Sequence, residues 1–205
     1  MGMMQNKLIV FEGTDGCGKT TQMQLCYEWM QSLNLPVVTT REPGGTELGK
    51  SLREILLNKS PYKITELFLY LADRAQHVQE VIIPNLTEGK YVLCDRYIDS
   101  TFAYQGYGRG IDTSLINQLN NIATDELKAG LTLWIDVDVE TGLRRKAAQG
   151  SLSRIEKEDI DFHEHIRSAY KRRQFWQNSI IHVDGNRKKE DVQAIIQSHL
   201  KPYLI

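Results

Sequence analysis

Five apolar runs that alternate with helix-length patterns predict an α/β fold: a three-layer α/β/α arrangement with a five-stranded parallel sheet flanked by helices. Two further observations point the same way. The turn Gly13-Thr14-Asp15-Gly16-Cys17-Gly18-Lys19-Thr20 joins the first apolar run to a long helical pattern without Pro or Gly, which is the strand-turn-helix setting of a phosphate-binding P-loop. The 205 residues suit one domain, 1–205, with a sizeable core.

The elements follow in order. Lys7 to Phe11 is the first strand, and Met23, Cys26, Met30 and Leu33 mark the buried face of a helix ending near Asn34. Val37 to Thr40 reads as a buried strand, broken by Arg41-Glu42-Pro43-Gly44-Gly45. Thr46 then caps a helix that carries Leu48, Leu52, Ile55 and Leu56 on one face. A helical stretch from Ile64 to about Glu80 bends or restarts before Pro84, and Gly89 ends the helical pattern beyond that proline. Tyr91 to Cys94 is the third strand, after which Gly106, Gly108 and Gly110 predict a loop with no regular element. Helices over Thr113 to Leu127, Glu140 to Ala148, Asp161 to Gln177 and Lys189 to Leu200 enclose strands at Leu131 to Val137 and Ile180 to Val183. In such a sheet, ligands sit beyond the carboxyl ends of the strands. That rule gathers the P-loop, Arg41 to Gly45 and Asp95-Arg96 on one edge.

Composition narrows the partners. A formal net charge of −1 gives no global pull toward nucleic acid or an anionic membrane, so a small anion held by local arginines is expected. Cys17, Cys26 and Cys94 lack metal-ligand spacing and suit free thiols in a reducing compartment. Met1 to Asn6 shows no targeting pattern and no run approaches membrane-spanning length, so the expected location is cytoplasmic.

The P-loop residues carry the first chemistry: loop amides wrap a polyphosphate, Lys19 reaches the β/γ-phosphates, and Thr20 can ligate Mg²⁺. Asp95, at the end of a strand, is placed to hold the same ion, and Arg96 can fork onto a phosphate. Arg53 is a second phosphate candidate because its helix starts just past the glycine turn; alone, it reads as a surface arginine. Ser153-Arg154-Ile155-Glu156 follows a small polar stretch, and phosphoryl transfer calls for a cation that arrives when the site closes. Arg154 fits that role, or is a solvated loop arginine. Tyr70 and Arg74, four apart, could offer a nucleobase a ring and a two-donor fork, although a helix tyrosine taken by itself reads as packing.

Four stretches together resemble the bacterial-type thymidylate kinase family of the P-loop nucleoside monophosphate kinases: Phe11 to Thr21, Thr40 to Thr46, Asp95-Arg96-Tyr97 with Ser100 to Gly106, and Arg154-Ile155-Glu156. The resemblance runs from about Lys7 to Leu200. It implies transfer of the ATP γ-phosphoryl group to dTMP, with ATP on Gly13, Thr14, Asp15, Gly16, Cys17, Gly18, Lys19, Thr20, Thr21 and Arg144. It implies dTMP on Asp15, Arg53, Tyr70, Arg74, Arg96, Thr101 and Gln105, catalysis by Lys19, Arg96 and Arg154, and Mg²⁺ on Thr20 and Asp95. Behind Arg154, in a lid insert of about 145–157, the resemblance leaves open which of Arg144, Arg145 and Lys146 faces ATP. It also implies a homodimer. The resemblance is to the bacterial type, whose P-loop lacks a basic residue after the acidic one; Gly16 occupies that place here, in keeping with a closing cation supplied by Arg154. Three departures are visible: Tyr70 where the family's stacking residue is phenylalanine, Lys128-Ala129-Gly130 where a Pro-Asp pair is common before Leu131-Thr132, and no positive charge from Ala147 to Ser153. The rival readings are a P-loop kinase with another nucleotide or deoxynucleoside acceptor, and a nucleotide-binding switch.

Overall fold

The computed structural model describes residues 7–204 apart from 149 and 151. The expectations for Met1 to Asn6, and for Gln149 and Ser151 of the small polar stretch, therefore lie outside the described residues. Strands β1 (Leu8–Glu12), β2 (Val37–Arg41), β3 (Tyr91–Asp95), β4 (Leu131–Asp136) and β5 (Ile180–Asp184) form one sheet in the order β2-β3-β1-β4-β5. Every pairing is parallel.

All five residues of β1 are buried, as a central strand covered on both faces requires. Side chains alternate across it. Ile9 and Phe11 pack with Met23, Cys26 and Met30 of α1 (Lys19–Ser32) and with Val192, Ile196 and Leu200 of α9 (Lys189–Leu200). Leu8 and Val10 face the other way, onto Val78, Ile82, Leu86 and Val92. These two layers and the sheet make the α/β/α sandwich that the sequence predicts.

The helices between are α2 (Glu47–Asn58), α3 (Lys63–His77), α4 (Ile83–Thr87), α5 (Ile98–Thr101), α6 (Thr113–Thr124), α7 (Val139–Ala147) and α8 (Ile160–Trp176). Thr46 caps α2 as expected, its hydroxyl accepting from the Gly49 amide at 2.9 Å. The bend before Pro84 is a π-helical turn, Val78–Ile82, which widens the path so that a residue lacking an N–H fits into the next helix.

Several expectations are corrected. Gly106 and Gly108 belong to a second π-helical segment, Phe102–Gly108, because these glycines make room for packing: a Cβ on Gly108 would lie 2.7 Å from the Phe162 ring. Strand β2 is an edge strand and only partly buried, and it extends to Arg41. Leu33 is 49% exposed at the end of α1, and Leu48 and Ile55 are exposed on α2, leaving Leu56 as that helix's fully buried leucine. Helix α6 ends at Thr124, where Asp125 turns left-handed with φ +50°.

Candidate active site

The register places Phe11 beside Asp95 and Asp95 beside Arg41, so the residues that follow the three strands emerge at one level of the sheet. A cleft of about 680 Å³ opens there, bordered by the P-loop, the turn after β2, Asp95-Arg96, α3 and the lid stretch.

The P-loop is shaped by close backbone approaches. A Cβ on Gly13, where φ is +141°, would collide with the Ile135 carbonyl oxygen; one on Gly16 would collide with that of Gly142 in α7. Glycine at 16 is therefore a requirement of space. Lys19 folds its ammonium onto the Gly13 and Thr14 carbonyls at 3.0 and 2.9 Å, with Cys17 Sγ at 3.6 Å. Burial pushes the Cys17 thiol up despite the nearby Lys19. Thr20 Oγ1 donates to Asp95 Oδ2 at 2.7 Å, so the two expected Mg²⁺ ligands are neighbours.

Arg96 sits at the centre of the cleft in the left-handed region, φ +73°. Its Nη1 donates to Gly13 O at 3.1 Å and Ser100 Oγ at 3.0 Å, and its Nη2 to Asp15 Oδ1 at 2.7 Å and Tyr104 OH at 3.0 Å. Tyr104 OH donates to the other Asp15 oxygen at 2.9 Å. Burial alone would raise the Asp15 pKa; the charges of Arg96 and Lys19 and the bonds from Tyr104 and Arg96 outweigh it and hold the carboxyl below the usual range. Arg53 donates to Pro43 O at 2.8 Å. Its pKa is lowered by burial and then by Arg41 and Arg96, so three cations repel one another across one end of the cleft. An anion there would relieve that repulsion.

Glu66, Tyr70 and Arg74 recur every four residues along α3, a stripe that faces the cleft region. The Tyr70 hydroxyl is pushed up to about 12 by burial and then by Glu66, so it stays a neutral phenol. Arg74 is buried, paired with Glu42 at 2.7 Å and bonded to Thr101 Oγ1 at 2.6 Å. Gln105 is buried too, its amide donating to Glu66 Oε1 at 3.0 Å. Beneath the turn after β2, Asp73 Oδ1 accepts from Gly44 N at 2.9 Å while Oδ2 is buried without a hydrogen-bond partner. Burial, then the charge of Glu42, raises the Asp73 carboxyl to about 6.

The basic residues expected in and behind the lid insert are held in different places. Arg154 is not among the residues bordering the cleft; it pairs with Glu66 and reaches the Leu56 carbonyl at 3.4 Å. Arg144 is exposed, its Nη2 on Thr141 Oγ1 at 3.3 Å, whereas Arg145 and Lys146 border the cleft with Arg187 and Lys189. The resemblance leaves these three basic residues undecided, and in α7 Arg144 is the one that does not border the cleft.

Sequence reasoning gave no role to Glu66, Tyr104, Arg187 and Lys189, and set Arg41 at the ligand edge without one. Glu66 had a signal: it continues the Tyr70 and Arg74 spacing one turn earlier. Arg187 and Lys189 had none beyond following the last strand at the ligand-binding edge.

Comparisons with known proteins agree with this geometry. The family model for thymidylate kinase matches residues 11–196. A thymidylate kinase of Nostoc punctiforme is 56% identical over 207 residues, covering 98% of each chain. One from Carboxydothermus hydrogenoformans is 46% identical, covering 97% of this chain and 98% of its own. The crystal structure of thymidylate kinase from Ehrlichia chaffeensis superposes with a TM-score of 0.78 at 35% identity, covering 94% of this chain and 97% of that one.

Proposed function

This chain belongs to the thymidylate kinase family, an ATP-dependent transferase that phosphorylates dTMP to dTDP, and we propose how its cleft is divided between the two nucleotides. The observation that carries the reading is that one cleft joins a P-loop to a second cluster of cations, Arg41, Arg53 and Arg96, next to Tyr70 and Arg74. A switch that only binds a triphosphate has no use for the second half.

ATP lies on the amides of Gly13 to Thr21, with Lys19 exchanging its loop carbonyls for β/γ-phosphate oxygens and Arg145 and Lys146 beside the donor. The dTMP phosphate lies on Arg53 and Arg96, with Asp15 near its sugar; the base stacks on Tyr70 and meets Arg74, Thr101 and Gln105. An ionised acceptor phosphate needs no strong base, so positioning and charge neutralisation do the work. The segment 145–157 acts as a lid that brings Arg154 from Glu66 to the transferring phosphoryl group.

Thr20 and Asp95 would hold Mg²⁺. Their hard oxygens suit the ion, which keeps waters and phosphate oxygens among its ligands. When bound, it neutralises charge on the phosphates.

A homodimer is supported by exposed apolar pairs spaced to share a face: Leu48 and Ile55 on α2, Ile64 and Phe68 on α3, Leu115 and Ile122 on α6. Three free, buried thiols support a reducing, cytoplasmic setting, and no described helix is long and apolar enough to cross a membrane.

A coupled ADP-release assay over dTMP, dUMP, dCMP, AMP, GMP and thymidine tests the reading. Turnover is expected with dTMP above the others; none with any acceptor would favour the switch.

A further inference from the structure

A guanidinium carries five N–H donors in a fixed plane. In Arg74, four are used inside the protein: Nε on Glu42 Oε2 at 2.7 Å, Nη1 on Thr101 Oγ1 at 2.6 Å and Asn120 Oδ1 at 2.5 Å, and Nη2 on Tyr97 O at 2.8 Å. The side chain is 2% exposed and borders the cleft. One Nη2 hydrogen is left for a ligand.

Two of these partners, Glu42 and Asn120, come from outside the Tyr97–Thr101 stretch. Asn120 lies in the buried stripe Ile116, Asn120, Thr124 of α6, where an amide is costly unless it is bonded. The second Glu42 oxygen is engaged by His77 Nδ1 at 3.0 Å, and His77 Nε2 is 2.5 Å from Thr40 Oγ1, so the carboxylate is held from behind. With Tyr97 and Thr101 they fasten the guanidinium from four places in the fold.

We propose that Glu42 and Asn120 are positioning residues for base specificity: by occupying Nε and one Nη1 donor they reduce Arg74 to a single-donor probe. The inference rests on the reading that the acceptor base meets Arg74. A single fixed N–H rewards a pyrimidine that presents a carbonyl oxygen and opposes one that presents an amino group, since donor would then face donor in a buried site. A guanidinium with its anchors removed can turn, and the opposition weakens.

The test compares kcat/KM for dTMP and dCMP, and KM for ATP, in the wild type, Asn120→Leu, Asn120→Asp and Glu42→Gln. Asn120→Leu is expected to lower the dTMP/dCMP ratio about tenfold, the equivalent of one hydrogen bond, with KM for ATP within about twofold of the wild type. Asn120→Asp keeps the acceptor oxygen and is expected to keep the ratio. Glu42→Gln, an independent route should the α6 variant fold poorly, is expected to lower the ratio in the same direction. Equal losses toward both substrates in Asn120→Leu and Glu42→Gln would overturn the inference while leaving the kinase reading intact. A wild type with no preference for dTMP would overturn the Arg74 assignment and this inference with it.

Discussion

The two ends of the cleft are built differently. At the proposed acceptor end, Asp15, Glu42, Arg74, Arg96 and Gln105 already have partners within hydrogen-bond distance inside the fold. At the proposed donor end, Arg145 reaches the Gly185 carbonyl at 3.4 Å, Lys146 pairs with Glu156 at 3.3 Å, and Arg154 is engaged elsewhere. A preorganised half can discriminate before chemistry, because its polar groups lose little freedom on binding. In the proposed reading the other half supplies charge and rearranges to do so.

That contrast can be broken in four places. The largest effect is expected from Arg154→Ala, which should lower kcat about 100-fold while leaving dTMP affinity within about threefold. An unchanged kcat would make Arg154 a latch on Glu66 and remove it from the transfer step. Next comes Arg53→Ala at the preorganised end: calorimetry should show dTMP binding weakened roughly 30-fold, about 2 kcal/mol for a lost charge-assisted bond. A wild-type affinity would sink the phosphate assignment. On the donor side, Arg145→Ala should raise KM for ATP about fivefold, in line with a partly exposed ion pair, and Arg144→Ala should not. Equal effects from the two would erase the distinction that α7 draws between them.

The smallest effect concerns stability. The Asp73 carboxyl rises from 3.8 to about 6 in the fold, so the native protein holds this proton more tightly than the unfolded chain. That contribution is fully present below pH 3.8 and is lost as pH rises through about 6. Glu42, His77, Arg74 and the Gly44 amide surround the group. Asp73→Asn should therefore raise Tm at pH 8 by roughly 2–6 °C and lose that advantage below pH 4. A gain that did not vary with pH would mean the carboxyl is not the source.

Most of the sandwich was legible in the sequence because β1, β3 and β4 are buried on both faces and read as largely apolar runs. Thr46 was legible for a local reason as well: a cap acts on an amide three residues away. What escaped depends on distant contacts. Gly108 is small because of Phe162, and Arg154 lies where Glu66, 88 residues earlier, draws it. The four anchors of Arg74 span separations from 23 to 46 residues, which no helical or strand period records. Asn120 came nearest to announcing itself, as an amide inside an apolar stripe. The exposed Leu48 and Ile55 of α2 misled for the opposite reason: helical spacing marks an apolar face without saying what covers it.

One contact has a mechanical side. Gly16 and Gly142 meet backbone to backbone, and a Cβ on Gly142 would lie 2.6 Å from the Asp15 carbonyl oxygen. Helix interfaces normally interlock, so that sliding requires rotamers to change in concert. At this point there are no teeth. The contact is smooth: α7 lies directly on the loop, with no side chain between the two backbones at these glycines. A methyl group on either glycine would wedge the helix away from the loop, and both would be displaced together.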